Sequence, residues 1–257
     1  MGSDKPKSML SLNGEPGGPT FLERQLQVLQ ESGVAEVVVV LSAQVASEVT
    51  IEGAKVVVNE FDTSATGSTL SLLCALEAET IDLTHGLLVS DADLVYEAEM
   101  MSWIVDHCDQ SAVFVTPNTA SDDEEVAVWG DLEQRPLLMG KGFPAELTDR
   151  YVLLGESLGS IHLGAPDRSL FRATARWLAG WPPAEAYGYA QAQSQHEEVW
   201  QYGFTMGAMG ATIVPDHFLY SECDTPEDYR YVREELYPAI TAKDQARATA
   251  GEDSAAT

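Results

Sequence analysis

Residues 87–93 read LLVSDAD, an apolar stretch that ends in two carboxylates. This stretch predicts a strand, and the unbroken β-branched runs 37–41 and 55–59 are typical of strands buried on both faces, which occur in parallel sheets. In open parallel sheets, ligands bind outside the carboxyl ends of the strands. Asp91 and Asp93 could hold one hard cation there together with a substrate phosphate. An Asx turn without an ion explains the same residues, and this stretch alone does not decide between the two.

Strands and helices alternate on both sides of this stretch. The first helix is predicted from a capping box of Thr20 and Glu23, and Gly33 ends it. Apolar periodicity predicts further helices that begin near 68, 97, 166 and 226. Short β-branched or apolar runs predict strands at 37–41, 55–59, 86–90, 112–116 and 211–214. This alternation predicts an α/β fold with a doubly wound, mostly parallel, Rossmann-like sheet.

The pattern changes after residue 120. The runs 125–129 and 136–139 flank a Gly-Asp turn, which predicts an antiparallel hairpin, and 153–163 is a third extended run. We therefore expect a small antiparallel lobe within about 120–205 of a single domain that covers 1–240. The residues after Ile240 are small and polar, which predicts a disordered tail over 241–257.

Composition excludes several classes of protein. The 257 residues include 41 Asp and Glu against 14 Lys and Arg, a net charge of -27, which disfavours nucleic-acid binding. This excess of acidic residues is typical either of a protein adapted to high salt or of an acidic mesophilic protein. No apolar run is long enough to span a membrane, and no apolar signal core follows Met1. The three cysteines have neither a disulfide pattern nor zinc-ligand spacing, so we expect a cytoplasmic protein.

Three further segments carry candidate chemistry, and each has a structural alternative. In residues 222–228 (ECDTPED), Asp224 or Thr225 caps a helix, although capping does not explain Glu222. Residues 5–7 (KPK) hold two of the five lysines, and a lysine there is either a phosphate ligand or part of a frayed terminus. The small residues 66–69 (TGST) open a helix, which suits contact with a base or an anion as well as plain capping.

In this order, the segments resemble the nucleotidyltransferase family that includes sugar-1-phosphate nucleotidyltransferases and, more closely, phosphocholine and phosphonate cytidylyltransferases. The resemblance extends from about Asp4 to Arg233. The family's Lys-Pro-Lys segment and its Asn-Gly-x-Pro segment look like residues 5–7 and 13–16. Its later motifs look like residues 59–72, Asp93 and the run 222–228.

The resemblance implies a transfer of a nucleoside monophosphate from a nucleoside triphosphate, with CTP favoured, to a small phosphate- or phosphonate-bearing acceptor, with release of pyrophosphate. Phosphocholine, an aminoalkyl phosphonate and a sugar 1-phosphate remain open as acceptors, and a homodimer remains open as the oligomeric state. The implied cofactor is Mg2+, held by Asp93 and Asp224. The other implied roles are triphosphate binding by Lys7, nucleotide binding by Thr66, Gly67, Ser68 and Asp91, and acceptor binding by Lys141, Glu156 and Glu198.

Two alternative functions remain on the same fold. One is a catalytically weak nucleotide-binding or regulatory protein, and the other is a metal-dependent glycosyltransferase that uses Asp91 and Asp93. The aromatic residues between Trp177 and Phe204 could enclose a choline-like ammonium beside Glu198, or could simply pack a small lobe.

The chain departs from the family pattern at its start. Residues 17–20 look like a short insertion. The family begins with a buried strand and a Gly-x-Gly-x-Arg-Met loop, and residues 1–7 resemble the continuation of that loop. A sheet without this strand would leave backbone groups unpaired, at about 1–3 kcal/mol each. We therefore expect the natural reading frame to begin upstream of Met1. A cloning remnant or a genuine start at residues 1–3 is the alternative.

Overall fold

The computed structural model describes residues 6–61, 66–117, 125–180 and 194–255. The helices are α1 (Phe21–Glu31), α2 (Ala43–Glu48), α3 (Ser68–Glu77), α4 (Ala98–Asp106), α5 (Ala145–Thr148), α6 (Arg168–Gly180), α7 (His196–Thr205), α8 (Pro226–Tyr231) and α9 (Tyr237–Ala255). The strands are β1 (Val38–Ser42), β2 (Lys55–Asn59), β3 (Leu87–Ser90), β4 (Leu94–Tyr96), β5 (Ala112–Thr116), β6 (Ala127–Gly130), β7 (Pro136–Gly140), β8 (Val152–Leu163), β9 (Gly210–Ile213) and β10 (Tyr220–Glu222).

The predicted α/β class with a Rossmann-like sheet is confirmed. Strands and helices alternate from β1 to β3 and again from β4 to β5, and the pairs β1–β2 and β5–β9 are parallel. In the six-stranded sheet, the antiparallel pairs are β5–β8, β6–β8 and β6–β7. Each of these pairs includes a strand of the predicted lobe, and the predicted hairpin is formed by β6 and β7.

The described contacts divide the chain into two compact units. Unit 1 comprises Met1–Val37, Ser90–His107 and His217–Thr257, and unit 2 comprises Val38–Val89 and Cys108–Asp216. Each unit is therefore assembled from segments that are distant in sequence. The single domain expected over 1–240 stays a prediction.

Unit 2 contains the larger sheet and its helices. The strand order is β7-β6-β8-β5-β9, β3 pairs with β8, and β1 and β2 form a separate two-stranded sheet among the described residues. Val113 and Val115 of β5 are fully buried in one core with Phe171 of α6 and Trp200 of α7. All five residues of β5 are buried, so burial on both faces explains the apolar run that predicted this strand.

Helices α3 and α6 of unit 2 are joined by an ion-pair cluster. Glu77 accepts hydrogen bonds from Arg172 at 2.9 Å and from Arg176 at 2.6 Å. The hydrogen bond from Arg172 is the largest cause that lowers the pKa of the Glu77 carboxyl, and the charges of both arginines add to it. The cluster is exposed, so its contribution to stability depends on salt.

Unit 1 packs α1, α4 and the C-terminal helices around the short antiparallel pair β4–β10. The predicted capping box begins α1: Glu23 N donates to Thr20 Oγ1 at 3.2 Å, and Thr20 N donates to the Glu23 carboxylate at 2.8 Å. Gly33 follows the helix at φ 82°, a conformation that favours glycine. One cluster of buried apolar residues in the unit comprises Leu12, Phe21, Val95, Cys223, Val232, Leu236 and Ile240.

The segment predicted to be a disordered tail is helical instead over 241–255, because α9 runs from Tyr237 to Ala255. Residues 256 and 257 lie outside the described part. Asp244 of α9 pairs with Arg24 of α1, and its second oxygen accepts from Ala98 N at 3.1 Å. Lys243 Nζ donates to Glu97 at 2.9 Å. Alanine-rich composition favours a helix, and these contacts hold it on the unit.

Among the described residues, none of the helices combines the length and the apolar character that crossing a bilayer requires.

Candidate active site

Strand pairing within unit 1 brings two distant acidic residues together. Asp93 directly precedes β4 and Asp224 follows β10 by two residues, and the two strands are antiparallel with Glu222 opposite Leu94. Cys223 N also donates to Asp93 O at 3.2 Å, which extends the pairing by one step. The start of β4 therefore meets the end of β10. Asp93 and Asp224 are thus as close as joint binding of one metal ion would require.

A third carboxylate belongs to the same group. Asp93, Glu222 and Asp224 each offer an oxygen atom, and these three atoms lie within 4.8 Å of one another. We call these three residues the acid cluster. Asp93 and Glu222 are half-buried, whereas Asp224 is exposed. The cluster is thus open to solvent on one side, where a ligand can approach.

Lys7 provides a positive charge at the acid cluster. Its Nζ lies 2.6 Å from Asp224 Oδ1 and 3.4 Å from Asp93 Oδ2. Lys7 lies in a 3₁₀ turn, Lys7–Met9, so the turn that follows Pro6 positions it. The structure brings together the two residues implied as metal ligands, Asp93 and Asp224, and the implied triphosphate ligand Lys7. The catalytic role expected for these three residues stays a prediction.

The charges of the cluster shift the pKa values of its members. Burial raises the pKa of Asp93, the charge of Lys7 opposes this rise, and the charges of Asp91 and Asp224 add to it. Burial lowers the pKa of Lys7, but the hydrogen bond to Asp224 and the two carboxylate charges outweigh burial, so its pKa is raised. Lys7 therefore stays a cation, and the carboxylates need a cation beside them.

Neighbouring groups fix the carboxylates in place. Gln25 of α1 is buried, and its Nε2 donates to Asp91 O at 2.8 Å and to Leu94 O at 3.0 Å, so one amide holds both ends of the turn that carries Asp93. On the other side, Asp228 accepts from Asp224 N at 3.1 Å and forms a capping box with Thr225 at the start of α8. The predicted capping role of Thr225 is confirmed.

The acid cluster fits a hard divalent cation. It supplies carboxylate oxygens, which are the ligands that Mg2+ prefers, and the ammonium of Lys7 already stands among them as a cation. The ligand atoms of the cluster are all carboxylate oxygens, and the buried thiol of Cys223 is not among them, which favours a hard cation over zinc. Metal binding by Asp93 and Asp224 stays a prediction, and Glu222 joins them as a third candidate ligand.

The predicted nucleotide contacts Thr66, Gly67 and Ser68 lie at the start of α3 in unit 2. Gly67 occupies the N-cap position, and the Ser68 hydroxyl donates to Gln195 at 2.8 Å and accepts from His196 N at 2.9 Å. Ser68 thus ties α3 to the start of α7. Asp91 belongs to unit 1, where it is half-buried two residues before Asp93. The roles of these four residues in nucleotide binding stay predictions.

The predicted acceptor contacts lie on the lobe side of unit 2. Ala127 pairs with both Glu156 and Gly140, which places Glu156 about 10 Å from the residue before Lys141, two strand spacings away. Glu198 lies one helical turn before Gln201, which accepts from Met139 N of β7 at 2.8 Å. Glu156 therefore lies in β8, Lys141 directly follows β7 and Glu198 lies in α7, and acceptor binding by them stays a prediction.

Part of the aromatic segment is described. Trp200 is fully buried against Phe171 with ring centroids 5.9 Å apart, and Trp177 packs on Tyr202 at 5.1 Å. These residues pack the lobe, which is one of the two alternatives. Trp181, Tyr187 and Tyr189 lie outside the described residues.

Two residues of the site were not assigned a role from the sequence. Glu222 stood out because helix capping did not explain it, but only the β4–β10 register shows that it meets Asp93. Gln25 lies on the apolar side of a predicted amphipathic helix and is buried in the structure. In the sequence, a polar residue at an apolar helical position was the only signal.

The fold is shared with known nucleotidyltransferases. The CTP:phosphocholine cytidylyltransferase from Streptococcus pneumoniae is similar at a TM-score of 0.63 and 15% identity, covering 91% of this chain and 90% of that one. A Bacillus anthracis protein described as a glucose-1-phosphate thymidylyltransferase, in complex with a sucrose, gives 0.59 at 11% identity, covering 93% and 86%. HddC from Yersinia pseudotuberculosis gives 0.57 at 14%, covering 91% and 92%. At these identities the likeness concerns the fold.

A family model that matches more than half of the chain identifies a nucleotidyltransferase-like enzyme, and the fold agrees with that class. The model of the MobA-like NTP transferase domain matches residues 1–180, and the chain belongs to that family. No curated protein matches the chain.

Proposed function

We propose that the protein is a magnesium-dependent nucleotidyltransferase that transfers a nucleoside monophosphate from a nucleoside triphosphate, with CTP favoured, to a small phosphate- or phosphonate-bearing acceptor. The observation that carries this proposal is the contact of Lys7 with both Asp93 and Asp224, at 3.4 and 2.6 Å. Family membership and the likeness to a cytidylyltransferase support it. The proposal includes a cytoplasmic location.

In the reaction, an oxygen of the acceptor forms a bond to the α-phosphorus of the triphosphate. The bond from that phosphorus to the bridging oxygen breaks, and pyrophosphate leaves with the electron pair. An acceptor phosphate or phosphonate is already ionised near neutral pH, so no residue has to remove a proton. Positioning and charge neutralisation are the main demands of such a transfer.

The residues of the chain meet these demands as follows. Asp93 and Asp224, with Glu222, would hold a divalent ion, which when bound neutralises charge on the triphosphate. Lys7 donates to triphosphate oxygens, and Lys141 donates to the acceptor phosphate. Glu156 and Glu198 bind the other end of the acceptor, and residues 66–68 line the base pocket.

The test is an assay of pyrophosphate release with Mg2+ and each of four nucleoside triphosphates. Each triphosphate is combined with phosphocholine, 2-aminoethylphosphonate or a sugar 1-phosphate. We expect release with one acceptor, fastest with CTP. Asp93→Asn and Asp224→Asn should each slow release about 100-fold, as loss of one transition-state contact does. Asp106→Asn, at an exposed position of the same unit, should leave the rate unchanged.

Two outcomes contradict the proposal. Nucleotide binding without pyrophosphate release in every combination would identify a nucleotide-binding module. Consumption of a nucleotide sugar without pyrophosphate would identify a glycosyltransferase.

A further inference from the structure

The ammonium of Lys7 lies where a metal ion would contact the acid cluster. Nζ is 2.6 Å from Asp224 Oδ1 and 3.4 Å from Asp93 Oδ2, which are atoms of the two predicted metal ligands. We propose that Lys7 is the counter-ion of the acid cluster in the nucleotide-free protein, and that a divalent cation binds tightly only when Lys7 leaves. This inference rests on the proposed function, because it concerns the same site.

Electrostatics explains why the cluster keeps a cation. Asp93, Glu222 and Asp224 present their oxygens within 4.8 Å of one another, and carboxylates at this separation repel strongly. One lysine offsets a third of the formal charge. A divalent ion bound to the same oxygens would be placed next to the ammonium, and the two cations would repel. Lysine and metal therefore compete for the oxygens of Asp93 and Asp224.

The structure allows Lys7 to move. Its side chain is 38% exposed and it extends from a 3₁₀ turn rather than from a long helix or strand. Lysine is a point charge on a flexible stem, so its ammonium can change partners without moving the backbone. A triphosphate is a strong alternative partner, because it carries several anionic oxygens.

The consequence is a coupling between metal and nucleotide. A triphosphate that draws Lys7 away exposes the carboxylates, so the two ligands bind better together than either binds alone. Such coupling is reciprocal and typically changes affinity by about 5- to 150-fold. In this view Lys7 both contacts the triphosphate and keeps free metal out of the nucleotide-free site.

The test measures Mn2+ binding to the nucleotide-free protein by electron paramagnetic resonance. We expect Lys7→Gln to bind Mn2+ about tenfold more tightly than the wild type, within the usual range of coupling. The matched control is Lys55→Gln, which removes the same charge from an exposed lysine that contacts Thr80 O at 2.8 Å. Its Mn2+ affinity should stay within about twofold of the wild type, as expected for screened charges.

A double variant locates the effect. Asp93→Asn in the Lys7→Gln background should abolish the gain. Lys7→Met serves as a second substitution if Lys7→Gln unfolds, and thermal unfolding with and without Mn2+ confirms that each variant is folded. The inference is overturned if Lys7 variants bind Mn2+ no more tightly than the wild type, or if the gain survives Asp93→Asn.

The outcome separates this inference from the proposed function. A wild-type protein that releases pyrophosphate, with no gain in Lys7→Gln, overturns the inference and leaves the function. A gain in Lys7→Gln without pyrophosphate release from any nucleotide supports the inference and contradicts the function.

Discussion

Replacement of Asp244 by alanine tests whether α9 holds unit 1 together. Asp244 pairs with Arg24, whose side chain is 9% exposed, and it accepts from Ala98 N at 3.1 Å at the start of α4. The substitution therefore leaves a buried guanidinium without its carboxylate and removes the capping acceptor of a helix. If residues 241–257 were disordered, the same change would have no effect on stability.

The expected loss follows from these two contacts. Removal of one partner of a buried ion pair costs about 3–5 kcal/mol, and loss of a cap costs about 1 kcal/mol. The side chain of Asp244 is 21% exposed, and Arg24 keeps a hydrogen bond to Tyr96 O at 3.3 Å, so the lower end applies. Alanine has a higher helix propensity than aspartate, which offsets about 0.5 kcal/mol of the lost stability. We expect a net loss of about 3.5 kcal/mol.

Urea unfolding followed by circular dichroism measures this loss, provided that the free energy of unfolding depends equally steeply on urea concentration in the variant and the wild type. Gln245→Ala, at an exposed neighbouring position of α9, is the control and should change stability by less than about 0.5 kcal/mol. Arg24→Met together with Asp244→Ala should recover part of the loss, because no unpaired charge remains buried. A loss below about 0.5 kcal/mol for Asp244→Ala would refute the packing of α9 on unit 1.

Three further predictions concern separate features. Gln25→Leu should weaken Mn2+ binding about 10- to 100-fold by releasing the turn that carries the metal ligand, whereas exposed Gln27→Leu should not, as measured by electron paramagnetic resonance. Gly155→Ala, whose Cβ would lie 2.1 Å from a carbonyl oxygen of β5, should lose about 3 kcal/mol in urea unfolding. Gly142→Ala, with open space around it, should lose about 1 kcal/mol. Glu77→Gln should be less stable than the wild type at pH 7. Because the pKa of Glu77 is lowered in the folded protein, its carboxylate stabilises the fold only when it is ionised. The difference in stability between the variant and the wild type should therefore vanish as pH falls below about 4. Equal stabilities at pH 7 would contradict this prediction.

The order of strands and helices could be predicted because burial imposes a local pattern of apolar residues on the sequence. The two valines of β5 lie on one face and Phe114 on the other, and all three are buried. The capping box of α1 is a contact between residues three positions apart. Both signals lie within one element. Local patterns therefore sufficed for the class of fold and for most of the elements.

The tail prediction failed because composition alone could not reveal a distant partner. Residues 241–255 are small and polar, which is typical of disorder, yet the same alanines favour a helix. Arg24 and Glu97, which pair with Asp244 and Lys243, lie far away in the sequence. Tertiary contacts decided the conformation.

The candidate site was predictable in part. The proximity of Lys7, Asp93 and Asp224 followed from the family resemblance, and the structure places them together. The position of Glu222 depends on strand register, and the buried amide of Gln25 depends on packing between a helix and a turn. Neither the strand register nor the packing produces a residue pattern at a fixed spacing in the sequence.

The hydrogen bond between Lys7 and Asp224 joins residues 217 positions apart. During synthesis, the lysine leaves the ribosome early, and its partner follows only after most of the chain. A nascent chain cannot close so long a loop until β10 is available to pair with β4. The acid cluster and its contact with Lys7 are therefore among the last parts of the protein to form, and a translation product that ends before Asp224 lacks them.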